Sequence, residues 1–236
     1  AIFKAALFKV GPTAGNTNAI EAYAENHKDL SQIFSNMSIH QKDHFLPWHR
    51  WFLLYFEKEL QSQSSVTGAS KIAMPFWDWT SDTSPTSDLW TTFLGDYNAA
   101  PPTGWGLGRS VGTSSTLATQ FDVNEVLKLT SFDQIGTASY GSGFFGNTIE
   151  ATPHNIAHVW VGGQMAQSTS PRDPAFFLHH ASVDRLWQEW EDYIGNTSTF
   201  NAGSLPSVTG GADPWPTSST VAGVTLNVAI PTAVDP

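Results

Sequence analysis

The chain has 236 residues, 40% of them hydrophobic and 13% aromatic, with a formal net charge of -10 and no cysteine. That is enough apolar chain to bury a full core as one domain, and no apolar run approaches the roughly 18 residues that a membrane-spanning helix needs. The Lys and Arg residues are scattered singly, which excludes a basic stripe for nucleic acid or an anionic membrane; the missing cysteines exclude disulfides, thiolate metal sites and thiol catalysis.

The first predicted helix covers roughly residues 17 to 34, with apolar Ala19, Ile20, Tyr23, Leu30, Ile33 and Phe34 between polar residues, and it carries His27. A second begins at Pro47, where a missing N–H costs nothing, and runs to about Leu60 with His49 in its first turn. Residues 61 to 72 read as a polar turn, and residues 80 to 118, rich in Ser, Thr, Gly and Pro, as surface loop. A further helix is expected near residues 121 to 129. Thr152 and Pro153 read as the N-cap and first turn of a helix holding His154 and His158. Four positions apart, these two rings lie only about 40° apart around the axis, so both reach one ion. Asp173-Pro174 gives the same start signal for a helix to roughly Tyr193 that bears His179, His180, Asp184, Trp187 and Trp190. From about Asn196 onward the sequence offers short extended runs at most. The expected fold is mainly α, a four-helix bundle around a metal pair with long loops and little β structure. It is expected to form a single domain, with its core over about residues 17 to 194 and a loop-rich segment over 195 to 236.

Six histidines fall into two clusters, His27, His40 and His49 in one and His154, His158 and His180 in the other. Three imidazoles from each half suit one soft-to-borderline metal ion apiece, and two such ions facing each other make a dioxygen site, so a dinuclear copper oxidase is the leading reading. On one continuous helix, nine residues at about 100° each would put His40 and His49 on opposite faces; the break at Pro47 removes that objection. Structural zinc on a helical domain is the plainer alternative, and it fits neither the double cluster nor the absence of cysteine well.

Four stretches carry a resemblance. Phe45-Leu46-Pro47-Trp48-His49-Arg50-Trp51-Phe52 with His40 nine positions ahead of His49, Met74-Pro75-Phe76-Trp77-Asp78-Trp79, His154-Asn155-Ile156-Ala157-His158, and residues 173 to 187, Asp173-Pro174 through His179-His180 to Asp184 and Trp187, resemble the tyrosinase and catechol oxidase family of type 3 copper enzymes. The likeness covers about residues 20 to 193. It implies one copper held by His27, His40 and His49, a second held by His154, His158 and His180, O2 as co-substrate, and small phenols as substrates. The family does not use the residue at His179 as a ligand, and a helix turns that ring about 100° from His180, which argues against both serving one ion. His44 has no counterpart in the family pattern; it reads as a histidine near the site and as the reserve ligand if His27 is badly placed. Glu150 and Asn155 resemble a pairing that goes with monophenol hydroxylation. They are expected to hold a water near the coppers and help remove a phenolic proton whose free pKa is about 10. Their plainer readings are a solvated carboxylate near a helix start and a first-turn residue that satisfies backbone groups. Asp184 is expected either to orient a histidine or to pair with Arg50; Trp48, Trp77, Trp79, Phe176, Phe177 and Trp187 to pack the core; Val159 to shape the pocket mouth.

The implied activity is that of a tyrosinase: ortho-hydroxylation of monophenols and oxidation of o-diphenols to o-quinones. Catechol oxidation alone, or reversible oxygen carriage like that of the haemocyanins, are the alternatives. Many family members bond a cysteine to the second histidine of the first site; with no cysteine here, either that crosslink is dispensable, as in bacterial members, or His40 is less rigid. The stretch ahead of His27 is short for the family, and the chain stops soon after the second copper region, which reads as an open, active form without a plugging domain. Ala1 in place of Met reads as a processed or trimmed start. The triplets Asn36-Met37-Ser38 and Asn196-Thr197-Ser198 lean toward secretion, although a chain rich in Ser and Thr also yields such triplets by chance. Oligomeric state is not written in the sequence.

Overall fold

The computed structural model describes residues 1–12, 18–31, 39–41, 45–100, 104–129, 145–193, 219–221 and 224–226. Within them the chain is mainly helical, as expected. A helix that the sequence reading did not anticipate, α1 (Ile2–Lys9), buries Ala6 and Leu7. Helix α2 (Ala19–Ser31) buries Ala19, Ile20, Tyr23, Ala24 and His27, a stripe one turn apart that fixes which way His27 faces. Helix α3 (Phe45–Gln61) starts two residues before Pro47. The proline falls in the first turn, where backbone N–H groups have no intrahelical acceptor, so its missing donor leaves nothing unpaired.

Residues 80–118 hold more structure than a surface loop. Leu94 N–H donates to Leu89 C=O, five residues back, at 2.7 Å, and a short helix α4 (Gly95–Asn98) follows. These turns bury Trp90, Leu94 and Tyr97, an aromatic gain that overrides the Ser- and Thr-rich composition around them. Helix α5 (Gln120–Leu127) opens with a reciprocal cap between Thr119 and Asp122.

The clearest correction concerns Thr152-Pro153, which is not a helix start. Helix α6 (Phe145–Ile149) runs through a widened turn, Glu150–His154, directly into α7 (Asn155–Val161). Pro153 has no N–H to donate and its ring crowds the carbonyl one turn back. The chain accommodates it by bonding Asn155 N–H to Glu150 C=O, five residues back rather than four. Helix α7 ends at Gly162 and Gly163, with φ of 69° and 55°. A Cβ on Gly163 would lie 2.4 Å from the Leu107 carbonyl oxygen, so only glycine lets the 107–112 segment cross here and bond Gln164 N–H to Leu107 C=O.

Helix α8 (Ala175–Tyr193) begins where Asp173-Pro174 predicts, and Asp173 Oδ1 accepts Ala175 N–H at 2.8 Å. The same carboxylate takes a two-pronged, buried ion pair from Arg109, at 2.7 Å from Nε and 2.6 Å from Nη2. Helices α3 and α8 lie against each other through the stacked Phe56 and Phe177 rings, 3.4 Å between centroids. Arg50 lies 3.9 Å over the Trp187 ring and donates to Asp184 at 2.5 Å, which settles the Asp184 alternatives in favour of pairing with Arg50. Helix α2 rests on the Ser170–Arg172 turn, where Arg172 pairs with Glu21 and Glu25. Trp48, Trp77, Trp79, Phe176, Phe177 and Trp187 are buried core, as expected. The β structure among the described residues is one antiparallel pair, β1 (Ser219–Val221) with β2 (Val224–Leu226), Ser219 opposite Leu226. His44, Asn36 and Asn196 lie outside the described residues.

Candidate metal centre

The fold brings both histidine clusters together. Ring nitrogens of His27, His40 and His49 lie within 4.8 Å of one another, supplied by α2, the segment 39–41 and α3. In the second cluster His158 Nε2 is 3.1 Å from His154 Nε2, which is 3.2 Å from His180 Nε2. The clusters face each other: the His49 and His180 rings stack at 4.2 Å with 9° between their planes. Phe45 and Phe176 wall the junction, Phe45 4.8 Å from His49 and 4.7 Å from His154, Phe176 4.1 Å from His180 and 5.1 Å from His27.

The other nitrogen of each ring decides what these histidines can do. Nδ1–H donates to a main-chain carbonyl in three of them: His27 to Ser168 at 2.7 Å, His49 to Phe45 at 2.7 Å, His158 to Met165 at 2.6 Å. His154 Nδ1 donates to Asn155 Oδ1 at 2.9 Å. A neutral imidazole with its proton on Nδ1 has a bare lone pair on Nε2, which is the tautomer a metal ion requires. Nε2 of His27 and of His49 is buried with no hydrogen-bond partner among the described residues. His154 and His158, both with Nδ1 protonated, point lone pairs at each other across 3.1 Å and cannot hydrogen-bond to one another, a contact that a cation between them relieves. An ion about 2.0 Å from each of three nitrogens spaces them about 3.3 Å apart, close to the separations in the second cluster.

Burial keeps the rings neutral. It pushes His27 down to about 3, against the opposing pull of its bond to Ser168, and His158 down to about 4, against its bond to Met165. His40, His49, His154 and His180 are held well below the ordinary imidazole range by burial first and by neighbouring histidines second. Six uncharged nitrogen donors, four on buried rings and two, His40 and His158, half-buried at the cavity, form a set that copper accepts in both oxidation states, and the residues fit the metal.

A cavity of about 500 Å³ opens onto the clusters, lined among others by His27, His40, His154, Asn155, His158 and Val159. Val159 is 44% exposed at its rim, where the sequence reading puts it. Asn155 thus combines cavity lining with the bond to His154. Glu150 is buried rather than solvated, which overturns its plainer reading. Both of its oxygens lie 2.9 Å from Gln41 N–H, tying the residue after His40, held at a φ of 57°, to the widened turn.

The structure corrects the reason for leaving His179 aside. Although it precedes His180 on the helix, one of its ring nitrogens lies within 4.8 Å of those of His154, His158 and His180. The angular argument therefore does not keep it away. Sequence reasoning also missed the carbonyls of Phe45, Met165 and Ser168 and the Gln41–Glu150 tie; main-chain acceptors leave no residue-type signal.

Two facing clusters of neutral imidazoles on a helical chain are the kind of site that holds metal ions. The profile described as the common central domain of tyrosinase matches residues 13–126 and 107–193. The tyrosinase of Streptomyces antibioticus is 38% identical over 197 residues, covering 72% of this chain and 70% of that one. Grixazone synthase of Streptomyces griseus is 30% identical, covering 75% and 76%. A solved structure of latent aurone synthase, a polyphenol oxidase, is similar at a TM-score of 0.44 and 19% identity; this chain covers 46% of that one, less than half its length. The chain belongs to the tyrosinase family. It is a tyrosinase-type polyphenol oxidase, and the chemistry of that family is copper-dependent oxidation of phenols.

Proposed function

We propose that this chain binds two copper ions, one by His27, His40 and His49 and the other by His154, His158 and His180, and that it uses O2 to hydroxylate monophenols and to oxidise o-diphenols to o-quinones. The observation that carries the reading is the pair of facing clusters of histidine ring nitrogens beside one cavity. The copper pair supplies the electron exchange with O2 that phenol oxidation needs. The chain's own residues do the rest. Carbonyls of Phe45, Ser168 and Met165 keep protons on Nδ1, Phe45 and Phe176 exclude water from the junction, and the cavity admits a flat aromatic ring beside His154 and His158.

A monophenol must lose its proton far below its free pKa of about 10. Asn155 lines the cavity and is placed to hold a water there; Glu150 is the carboxylate that would accept the proton through it. One observation favours the narrower, catechol-only reading: Glu150 turns both oxygens to Gln41 N–H. Copper-loaded protein given a monophenol with catalytic catechol decides between them. Sustained monophenol consumption supports hydroxylation; catechol turnover with the monophenol untouched overturns it. In the same assay, His44→Ala is expected to keep most activity, because the six proposed ligands do not include it.

Residues 17–194 as one copper domain with 195–236 as its loop-rich tail, and secretion of the protein, are part of the same proposal. No helix among the described residues is long and apolar enough to cross a membrane. Recovery of sequon-glycosylated protein from culture medium would support export.

A further inference from the structure

The second histidine cluster contains four imidazoles, not three. The His179 ring centroid is 4.8 Å from that of His158 and 5.1 Å from those of His154 and His180. A fourth nitrogen bound to the second ion would fill the position that a reactive metal keeps open for a small molecule. Something must hold His179 out.

Trp79 and His179 are both fully buried, and the indole Nε1–H donates to His179 Nδ1 at 2.7 Å. An indole nitrogen is only ever a donor, so Nδ1 is an acceptor and its lone pair is engaged. An imidazolium carries N–H on both nitrogens and offers the indole nothing, so the His179 ring is neutral with its proton on Nε2. Neither nitrogen then has a lone pair for a metal. Three of the proposed ligand rings, His27, His49 and His158, carry their protons the opposite way round, on Nδ1 facing main-chain carbonyls.

We propose that Trp79 is a positioning residue that excludes His179 from the second metal ion by fixing its tautomer, and so limits that ion to three protein ligands with one side open to the cavity. This rests on the ligand set proposed above. Remove the indole N–H and His179 regains a lone pair, at Nδ1 directly or at Nε2 after tautomer exchange.

The test begins with metal-free protein labelled with 15N-histidine, in which long-range 1H–15N correlation shows which nitrogen of each ring is protonated; loss of one set of signals in His179→Leu assigns the ring. His179 is expected as the Nε2–H form and His27, His49 and His158 as Nδ1–H. Two variants remove the donor: Trp79→Phe, and replacement of Trp79 by benzothienylalanine, which keeps the indole shape and puts sulfur where the N–H was. With zinc bound, both are expected to show His179 as a metal-bound nitrogen. Chelator-driven loss of the second ion is expected to slow by about tenfold or more, and phenol oxidation by the copper form to fall by about tenfold or more. Adding His179→Leu to Trp79→Phe is expected to return the release rate to that of the parent. An Nδ1–H signal for His179 in the parent, or unaltered metal release from a folded benzothienylalanine variant, overturns the proposal. The tautomer is read without metal and the ion count with it, so a fault in the ligand set is seen separately.

Discussion

The two metal clusters solve the same problem by different constructions. The second takes two of its proposed ligands from successive turns of one helix, His154 and His158, and the third from α8, whose start is nailed down by the buried Arg109–Asp173 pair. The first gathers its proposed ligands from α2, a non-helical segment and α3. Helix geometry places two members of the second set, His154 and His158, unaided. The first depends on ties between distant parts of the chain: Gln41 to Glu150, and Arg172 to Glu21 and Glu25. Local periodicity brings together only His154 and His158; His180 and the whole first set join them once the tertiary structure has formed.

That contrast can be broken most severely at the ligands. His180→Ala is expected to abolish phenol oxidation and to lower the metal content from two ions per chain to one, read by elemental analysis; two retained ions would refute the ligand set. The next largest effect is on stability. Arg109→Met leaves the Asp173 carboxylate buried without its partner at the head of α8, which is expected to cost about 3–5 kcal/mol in urea unfolding.

Glu150→Ala sharpens the comparison because it severs the Gln41 tie without touching a ligand. Affinity for the first ion is expected to fall about 10- to 100-fold while the second is bound as before, measured by competition with a chelator. Equal weakening of both would mean that the tie serves the whole centre. Arg172→Leu has the smallest expected effect. Its pairs with Glu21 and Glu25 are partly exposed, so a slight drop in melting temperature at low ionic strength should vanish at high salt.

The same contrast explains what could be read from the chain. The spacing of His154 and His158, the Asp173-Pro174 start of α8 and the buried aromatic residues were legible, because each follows from local periodicity or capping. The start of α7 was not: Thr152-Pro153 looks the same whether it opens a helix or lies in a widened turn within one, and only the preceding Phe145–Ile149 helix distinguishes them. The short turns that bury Trp90 and Tyr97 were hidden by polar composition. His179 was set aside for an angular reason, whereas its bond to Trp79, a hundred positions away, is what matters.

The acceptors on Nδ1 of His27, His49 and His158 belong to peptide groups. No single side-chain replacement deletes a peptide carbonyl, so these three orientations are insulated from point substitution. His154 differs, since its acceptor is the amide of Asn155, which also faces the cavity. Inherited variation or a designer therefore has a direct handle at position 155, where a single codon change alters both the bond that orients His154, a proposed ligand, and the shape of the cavity wall.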